Sequence, residues 1–234
     1  MSATTVEAGK PERAPREKKP VAPMSKWPIG ALLGVVAIIT VDLIVSVRTT
    51  MMPWVLSRGL GLGAAASLAA LSLVGLWRRH PVRATLPVLK PATLAKVHTG
   101  LASATMVLLA GHVAATVADS YAHVGIIGAL VPMASPYKPW PVTLGTLSMW
   151  LLLAIWATAR LSTSIAKKSW KAVHRVSMFT FGCVWLHGMT VGTDARALRP
   201  VYWAVGGIVL GVWLSGVALQ VQAVAKKRSA KSSS

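Results

Sequence analysis

The stretch Lys96–Thr116, KVHTGLASATMVLLAGHVAAT, is apolar enough to cross a membrane, yet it carries two histidines, His98 and His112. A helix needs about 20 mainly apolar residues to span the hydrocarbon core of a bilayer. An ionisable side chain inside such a segment is costly and usually has a functional partner. The stretch therefore predicts a membrane helix built around two imidazoles.

The composition of the whole chain is typical of a membrane protein. Of 234 residues, 54% are hydrophobic and 13% are charged, with a formal net charge of +19. Soluble domains carry about 25% charged residues. The basic residues form short clusters between apolar runs, which argues against a nucleic-acid binder. The single cysteine, Cys183, and the absence of a C-x-x-C-H motif exclude an intrachain disulfide and c-type haem attachment.

Six apolar runs predict an all-α membrane protein, a six-helix bundle over residues 28–222. A disordered basic tail is expected at 1–27 and a second basic tail at 223–234. The first run is too long for a signal-peptide core, so we expect it to be retained as a membrane helix. A shorter apolar piece, 124–134, is expected to lie at the interface or to re-enter the membrane. The predicted spans are Pro28–Val47, Trp54–Trp77, Ala92–Val117, Val142–Arg160, Ala172–Gly192 and Pro200–Val221.

The distribution of Lys and Arg predicts the orientation. The N-terminal tail holds six, residues 78–96 five, residues 160–175 five and the C-terminal tail four, while the other three connections share five. By the positive-inside rule, both termini are expected in the cytoplasm and the third and fifth spans run outward. The simplest explanation of these basic clusters is that they contact anionic membrane lipids.

The fifth span, KAVHRVSMFTFGCVWLHGMT, carries a second histidine pair, His174 and His187. The pairs are 14 and 13 residues apart, which is roughly 20 Å along a helix axis. Because both spans run outward, His98 and His174 share one depth, and His112 and His187 share another. This pattern predicts two stacked bis-histidine metal centres, and haem iron is suited to two axial imidazoles.

The rotation of the histidines around each helix is less regular. Fourteen residues return to within about 40° of the starting face, whereas 13 residues end about 140° away. A local tightening, a kink near Gly182 or two offset haems would reconcile the second pair. Four glycines near the histidines could make room for a macrocycle, or could serve ordinary helix packing. They are Gly100, Gly111, Gly182 and Gly188.

Two arginines are candidates to bind haem propionates. Arg58 is expected near the outer end of the second span, and Arg175 follows His174 directly. Snorkelling of these long side chains to the interface is the alternative.

Other polar residues have less specific interpretations. Asp42 is the only acid in a predicted span, and it could transfer protons or pair with Arg48 or Arg58. His80 lies among basic residues and is expected in a solvated or lipid-facing loop. His123 follows Asp119 by four residues, so these two could bind a metal together.

The histidine spacings resemble the ferric reductase-like transmembrane domain family, as do WKAVHR, LHGMTVGTD and VPMASPYKPW before a helix with Gly145. The resemblance covers about residues 53–221. The family includes NADPH oxidases, ferric reductases and the haem subunit of bacterial periplasmic methionine-sulfoxide reductase. It implies two haem b groups, an inner one on His98 and His174 and an outer one on His112 and His187, with electrons moving outward. The short chain resembles stand-alone bacterial members, which implies a bacterial plasma membrane.

The resemblance also frames the expected reaction. The 234 residues hold no Gly-rich phosphate loop and no flavin or nicotinamide domain, so we expect a separate donor: a flavoprotein, a ferredoxin-type carrier or a quinol. The expected acceptor outside is a ferric chelate or a partner protein. Three alternatives remain open: a quinol-oxidising haem subunit of a periplasmic repair reductase, a haem-free proton-coupled transporter using the histidines as a relay, and a scaffold that holds haem for structure only.

Overall fold

The computed structural model describes residues 52–85, 90–164 and 166–232, and the regular structure in these ranges is entirely helical. The all-α prediction is therefore confirmed for these residues. Two short 3₁₀ segments, Pro81–Ala84 and Thr193–Ala195, join longer helices. The α-helices are α1 (Met52–Arg79), α2 (Pro91–Ala118), α3 (Gly125–Leu130), α4 (Pro139–Arg160), α5 (Lys167–Arg175), α6 (Ser177–Val191) and α7 (Arg199–Ser232).

Four of the described helices, α1, α2, α4 and α7, are long and apolar enough to cross a membrane. They correspond to the second, third, fourth and sixth predicted spans. The first predicted span, with Asp42 and Arg48, lies outside the described residues, as does the predicted tail 1–27. The last helix continues to Ser232, well into the segment that was predicted to be a tail.

The fifth predicted span forms two consecutive helices, α5 and α6, which meet at Val176. The amide of Val176 donates to the carbonyl of Val173 at 3.0 Å, an i→i−3 bond. Such a bond marks a 3₁₀ turn, which rotates more per residue than an α-helix. The rotation is in the direction needed to bring His187 toward the face of His174. The expected tightening is therefore present at Val176, and not as a kink at Gly182, which lies inside α6.

Proline and arginine mark the two ends of the bundle. Pro91 and Pro139 occupy the first turns of α2 and α4, where a missing N–H costs nothing. Arg78, Arg79 and Arg160 occupy the last turns of α1 and α4, where the helix dipole favours positive charge. We call the end with these arginines the basic end. The opposite end carries the connection 119–138 and is called the loop end.

The helices form two closely packed pairs. α1 packs along α2 more extensively than any other two described helices, and α4 packs on α6 next most extensively. By contrast, α2 and α6, which carry three of the four histidines, have almost no close backbone contact within the described bundle. A slot therefore separates the two histidine-bearing walls.

At mid-depth the slot is closed by an apolar cluster from α1, α4, α6 and α7, which we call the waist. Its buried members are Leu68, Ala69, Leu152, Phe181 and Val209. Phe181 stacks on Trp185, with ring centroids 5.0 Å apart. Since the waist lies between the depths of the two histidine pairs, it divides the slot into two separate ends.

The connection at the loop end contains the short helix α3. Gly128 of this helix lies against Ser135, so a Cβ at Gly128 would be 3.0 Å from the Ser135 Cα. Ile126 and Ile127 are 62% and 67% exposed. An exposed apolar face of this kind fits the predicted interfacial or re-entrant position, which stays a prediction.

Candidate functional site

The structure brings together the histidines that the spacing placed at equal depth. The rings of His98 and His174 have centroids 6.2 Å apart and are inclined at 68°. The rings of His112 and His187 have centroids 6.3 Å apart and are inclined at 74°. We refer to them as the basic-end pair and the loop-end pair. Their role as metal ligands stays a prediction.

The distance between the ring centroids of a pair differs between two kinds of contact, a direct hydrogen bond between the imidazoles and binding of both imidazoles to one metal ion. A direct N–H···N hydrogen bond of about 2.9 Å would bring the ring centroids to about 5 Å. Two imidazoles bound at about 2 Å on opposite sides of one metal ion have centroids about 6.2 Å apart, since a ring nitrogen lies roughly 1.1 Å from the centroid. The observed 6.2 and 6.3 Å agree with the second geometry.

The loop-end pair has fixed ring orientations. Nδ1 of His112 donates to the backbone carbonyl of Ser57 at 2.7 Å. Nδ1 of His187 donates to the backbone carbonyl of Pro141 at 2.8 Å. Because a carbonyl only accepts, these bonds assign the proton to Nδ1 and leave Nε2 with a free lone pair. Metal-ligating histidines commonly make this bond to a carbonyl.

The basic-end pair has a different environment. Nδ1 of His98 and Nδ1 of His174 are buried and have no hydrogen-bond partner among the described residues. Trp170 contacts His174 edge-on, with centroids 5.7 Å apart. The positive charges of Arg78 and Arg79 act on both imidazoles. Two guanidinium groups near these imidazoles form a site that favours an anionic ligand group.

The two arginines predicted to bind propionates have other partners among the described residues, and their role toward a haem stays a prediction. Arg58 pairs with the Asp194 carboxylate and lies over the Trp54 ring at 4.1 Å. Arg175 is exposed, and its Nε donates to the carbonyl of Lys171 on its own helix at 3.4 Å.

Sequence reasoning missed Arg78 and Arg79, which lie near the basic-end pair. A signal was present: these two arginines follow the second predicted span directly, at the end of the bundle where His98 lies in the first turns of the third.

The Arg58–Asp194 ion pair is expected to contribute little to stability. Its two side chains are 27% and 44% exposed, and pairs of this kind contribute about 0–1 kcal/mol. Asp194→Asn should therefore lower the free energy of unfolding in detergent by less than about 1 kcal/mol.

Asp119→Ala is the contrasting variant. Asp119 is buried and accepts from the amides of Tyr121 and Ala122 at 3.0 and 3.1 Å. Its loss should cost about 1–3 kcal/mol, because it removes two hydrogen bonds that a buried carboxylate accepts. Equal losses from the two variants would contradict this ranking.

His80 and Asp119 have partners in the structure that their sequence neighbours did not indicate. His80 is not left in a free loop: its Nε2 lies 3.2 Å from Ser215 Oγ on α7, and its ring stacks on Trp77. Its neighbours in sequence did not reveal a partner 135 positions away. Both oxygens of Asp119 accept backbone amides, and His123 is exposed, so the structure gives no support to a metal pair there.

The glycines that contact the imidazoles differ from the four that could make room for a macrocycle, and that role of the four stays a prediction. A Cβ at Gly100 or Gly182 would meet no described atom within 4 Å, and one at Gly188 would meet Tyr202 at 2.7 Å. Gly111 is buried within α2. The imidazoles lie instead against glycines of neighbouring helices, which are Gly61, Gly75 and Gly145.

Comparisons of the chain with models of known protein families, with curated proteins and with solved structures find no match. In the ranges that the structure describes, no three His, Cys, Asp or Glu side chains come together as a metal cluster. The functional interpretation therefore depends on the two histidine pairs and the residues around them.

Proposed function

We propose that the chain is a di-haem b membrane oxidoreductase of the ferric reductase-like type. In this proposal a bundle of six helices carries electrons from a cytoplasmic or quinol donor to an acceptor outside, such as a ferric chelate or a partner protein. One observation carries the proposal: two imidazole pairs, each with the centroid separation of a bis-imidazole metal centre, lie on opposite walls of a slot. The spacing of 14 and 13 residues sets them at two depths.

The residues present fit a haem at each end. At the loop end, His112 and His187 would hold the iron through Nε2, because Nδ1 of each donates to a carbonyl. At the basic end, His98 and His174 would be the ligands. When bound, each haem supplies one-electron redox chemistry, while the protein provides orientation and dielectric environment.

The charged residues would serve the propionates and the donor. Arg78 and Arg79 are the propionate partners that we favour at the basic end, since their charge already acts on both imidazoles there. Arg58 would take this role at the loop end by leaving Asp194. With the basic end in the cytoplasm, as the positive-inside rule favours, its charge would attract an acidic electron-donor protein.

The proposal is tested first by haem content. The purified chain in detergent should show about two haems b per chain in a pyridine-haemochrome assay, with low-spin bis-histidine spectra before and after reduction with dithionite. A colourless protein, even after expression with haem supplied, would overturn the proposal.

A haem-free proton relay is the second candidate, and the hydroxyl groups beside His112 favour it. Ser57 Oγ lies 2.6 Å from Thr116 Oγ1 and 3.3 Å from His112 Nδ1. The basic-end pair has no such chain, because its Nδ1 atoms have no partner among the described residues. A relay predicts a colourless protein that moves protons across vesicle membranes.

A quinol-oxidising subunit of a periplasmic repair reductase is a variant of the main proposal. Inhibitors that compete with quinol should then block reduction of the haems by quinol, whereas a flavoprotein donor should be unaffected.

A further inference from the structure

Three of the four imidazoles contact a neighbouring helix in the same way. Each ring lies against a backbone carbonyl and a glycine four residues later, an arrangement that we call a seat. His112 donates to the Ser57 carbonyl, and a Cβ at Gly61, four residues later, would lie 2.9 Å from His112 Nδ1. His187 donates to the Pro141 carbonyl, and a Cβ at Gly145, again four residues later, would lie 2.7 Å from Nδ1. Each seat thus combines a carbonyl at position i with a glycine at position i+4.

The third seat holds His98 on α1. The Leu71 backbone carbonyl faces this ring, and a Cβ at Gly75 would lie 3.1 Å from its Cε1. Here Nδ1 makes no hydrogen bond of normal geometry, so the seat is looser than the other two. His174, at the end of α5, has no such glycine against it in the described structure.

Helix geometry explains why the glycine must be at i+4. A helical Cα–Cβ bond points toward the N-terminus, so the side chain at i+4 covers the carbonyl of residue i. That carbonyl accepts the amide of residue i+4 and has a second lone pair. Without a Cβ in the way, an imidazole N–H from the neighbouring helix can reach that lone pair.

The α1 seats repeat with the period of the histidines that they hold. Three pairs of residues share a separation of 14: Ser57 with Leu71, Gly61 with Gly75, and His98 with His112. Fourteen residues return to nearly the same helix face. Because α1 and α2 pack along each other, one face of α1 therefore supports both histidines of α2.

We propose that Gly61 and Gly145 are positioning residues, each keeping a backbone carbonyl open so that an imidazole Nδ1–H points at it and Nε2 points across the slot. Gly75 leaves room for the His98 ring in the same way, without that hydrogen bond. The inference rests on the proposed function in one respect, that Nε2 is the ligating nitrogen. The three glycines contact neither the iron nor the substrate; they act through the histidines.

The test uses Gly61→Ala and Gly145→Ala in a His98→Ala background, which removes the basic-end pair and leaves one site to titrate. Gly59→Ala is the matched control, because a Cβ there would meet no described atom within 4 Å. Titration of the haem-free chain with haem in detergent should show that both variants weaken binding about 10–100-fold, the usual effect of losing a partner of a ligating histidine. The control should bind as the background does.

Retained folding is checked with the native His98. In this background Gly61→Ala should still bind haem at the basic-end pair and should have the same helix content as Gly59→Ala. An unfolded chain would lose both properties. Gly75→Ala should weaken the basic-end site by less, because its Cβ would come no closer than 3.1 Å. If Gly61→Ala and Gly145→Ala bind haem at the loop end as tightly as the control, the seat proposal is wrong while the haem proposal stands.

A second readout needs no haem. In the haem-free chain with ¹⁵N-labelled histidine, His112 and His187 should carry their proton on Nδ1, and the two alanine variants should each lose this preference at one ring. If no chain binds haem, the proposed function fails and the tautomer measurement decides the seat: a change confined to the expected ring supports it, and unchanged spectra overturn it.

Discussion

Replacing His112 or His187 by alanine is expected to leave a folded chain with about one haem b in place of about two. In the proposed di-haem protein both histidines of the loop-end pair would hold the haem, and a single remaining imidazole could not hold it from both walls of the slot. The basic-end pair lies beyond the waist and should keep its ligand. Pyridine-haemochrome counts and low-spin electron paramagnetic resonance signals measure the loss directly.

A double variant and a control variant test this prediction further. The double variant His112→Ala/His187→Ala should lose no more haem than either single variant, because the two residues act as one unit. His123→Ala is the matched control, since this histidine is exposed at the same end. Loss of both haems from a chain that is still helical would contradict the separation into two sites.

Replacing Phe181 by alanine is expected to have the largest effect on stability. Phe181 is 5% exposed and contributes to the waist from α6, stacked on Trp185. Truncating a buried Phe costs about 3–5 kcal/mol in soluble cores. We expect the free energy of unfolding to fall by about 3 kcal/mol, the low end of that range. Lipid already provides an apolar environment, so the variant loses mainly packing contacts.

Phe179 provides the control within the same helix. It lies two positions away and is 66% exposed, so Phe179→Ala should change the free energy of unfolding by less than about 0.5 kcal/mol. Reversible unfolding in mixed detergent, followed by tryptophan fluorescence, compares the two variants. Similar losses from both would show that the waist is not the stabilising core of the bundle.

The sequence allowed the depth of the histidines to be predicted, because the rise per residue of a helix is fixed. Spacings of 14 and 13 on two helices of the same direction place His98 beside His174 and His112 beside His187, and the structure has these pairs adjacent. The rotational mismatch of the second pair was also visible in the sequence. The position of the tighter turn was not visible in the sequence, because a 3₁₀ turn at Val176 depends on the packing of α5 and α6.

The surroundings of the histidines were harder to predict, since they come from other helices. Nothing near His112 in the sequence indicates that it lies against Gly61, although the shared separation of 14 residues was there to be found. Arg58 was a candidate for binding a propionate or for pairing with Asp42, whereas the structure pairs it with Asp194, far along the chain. Such long-range partners depend on which helix faces meet, and periodicity alone does not determine that.

The waist has a consequence for how the protein would be assembled. Because packed side chains separate the two ends of the slot, filling one end requires no rearrangement at the other. In the proposed di-haem protein, haem loading would then be non-cooperative, and a half-loaded chain would be a stable species during maturation. Each haem that binds only the folded chain also stabilises it by mass action. The abundance of the protein in a cell would therefore rise with haem supply.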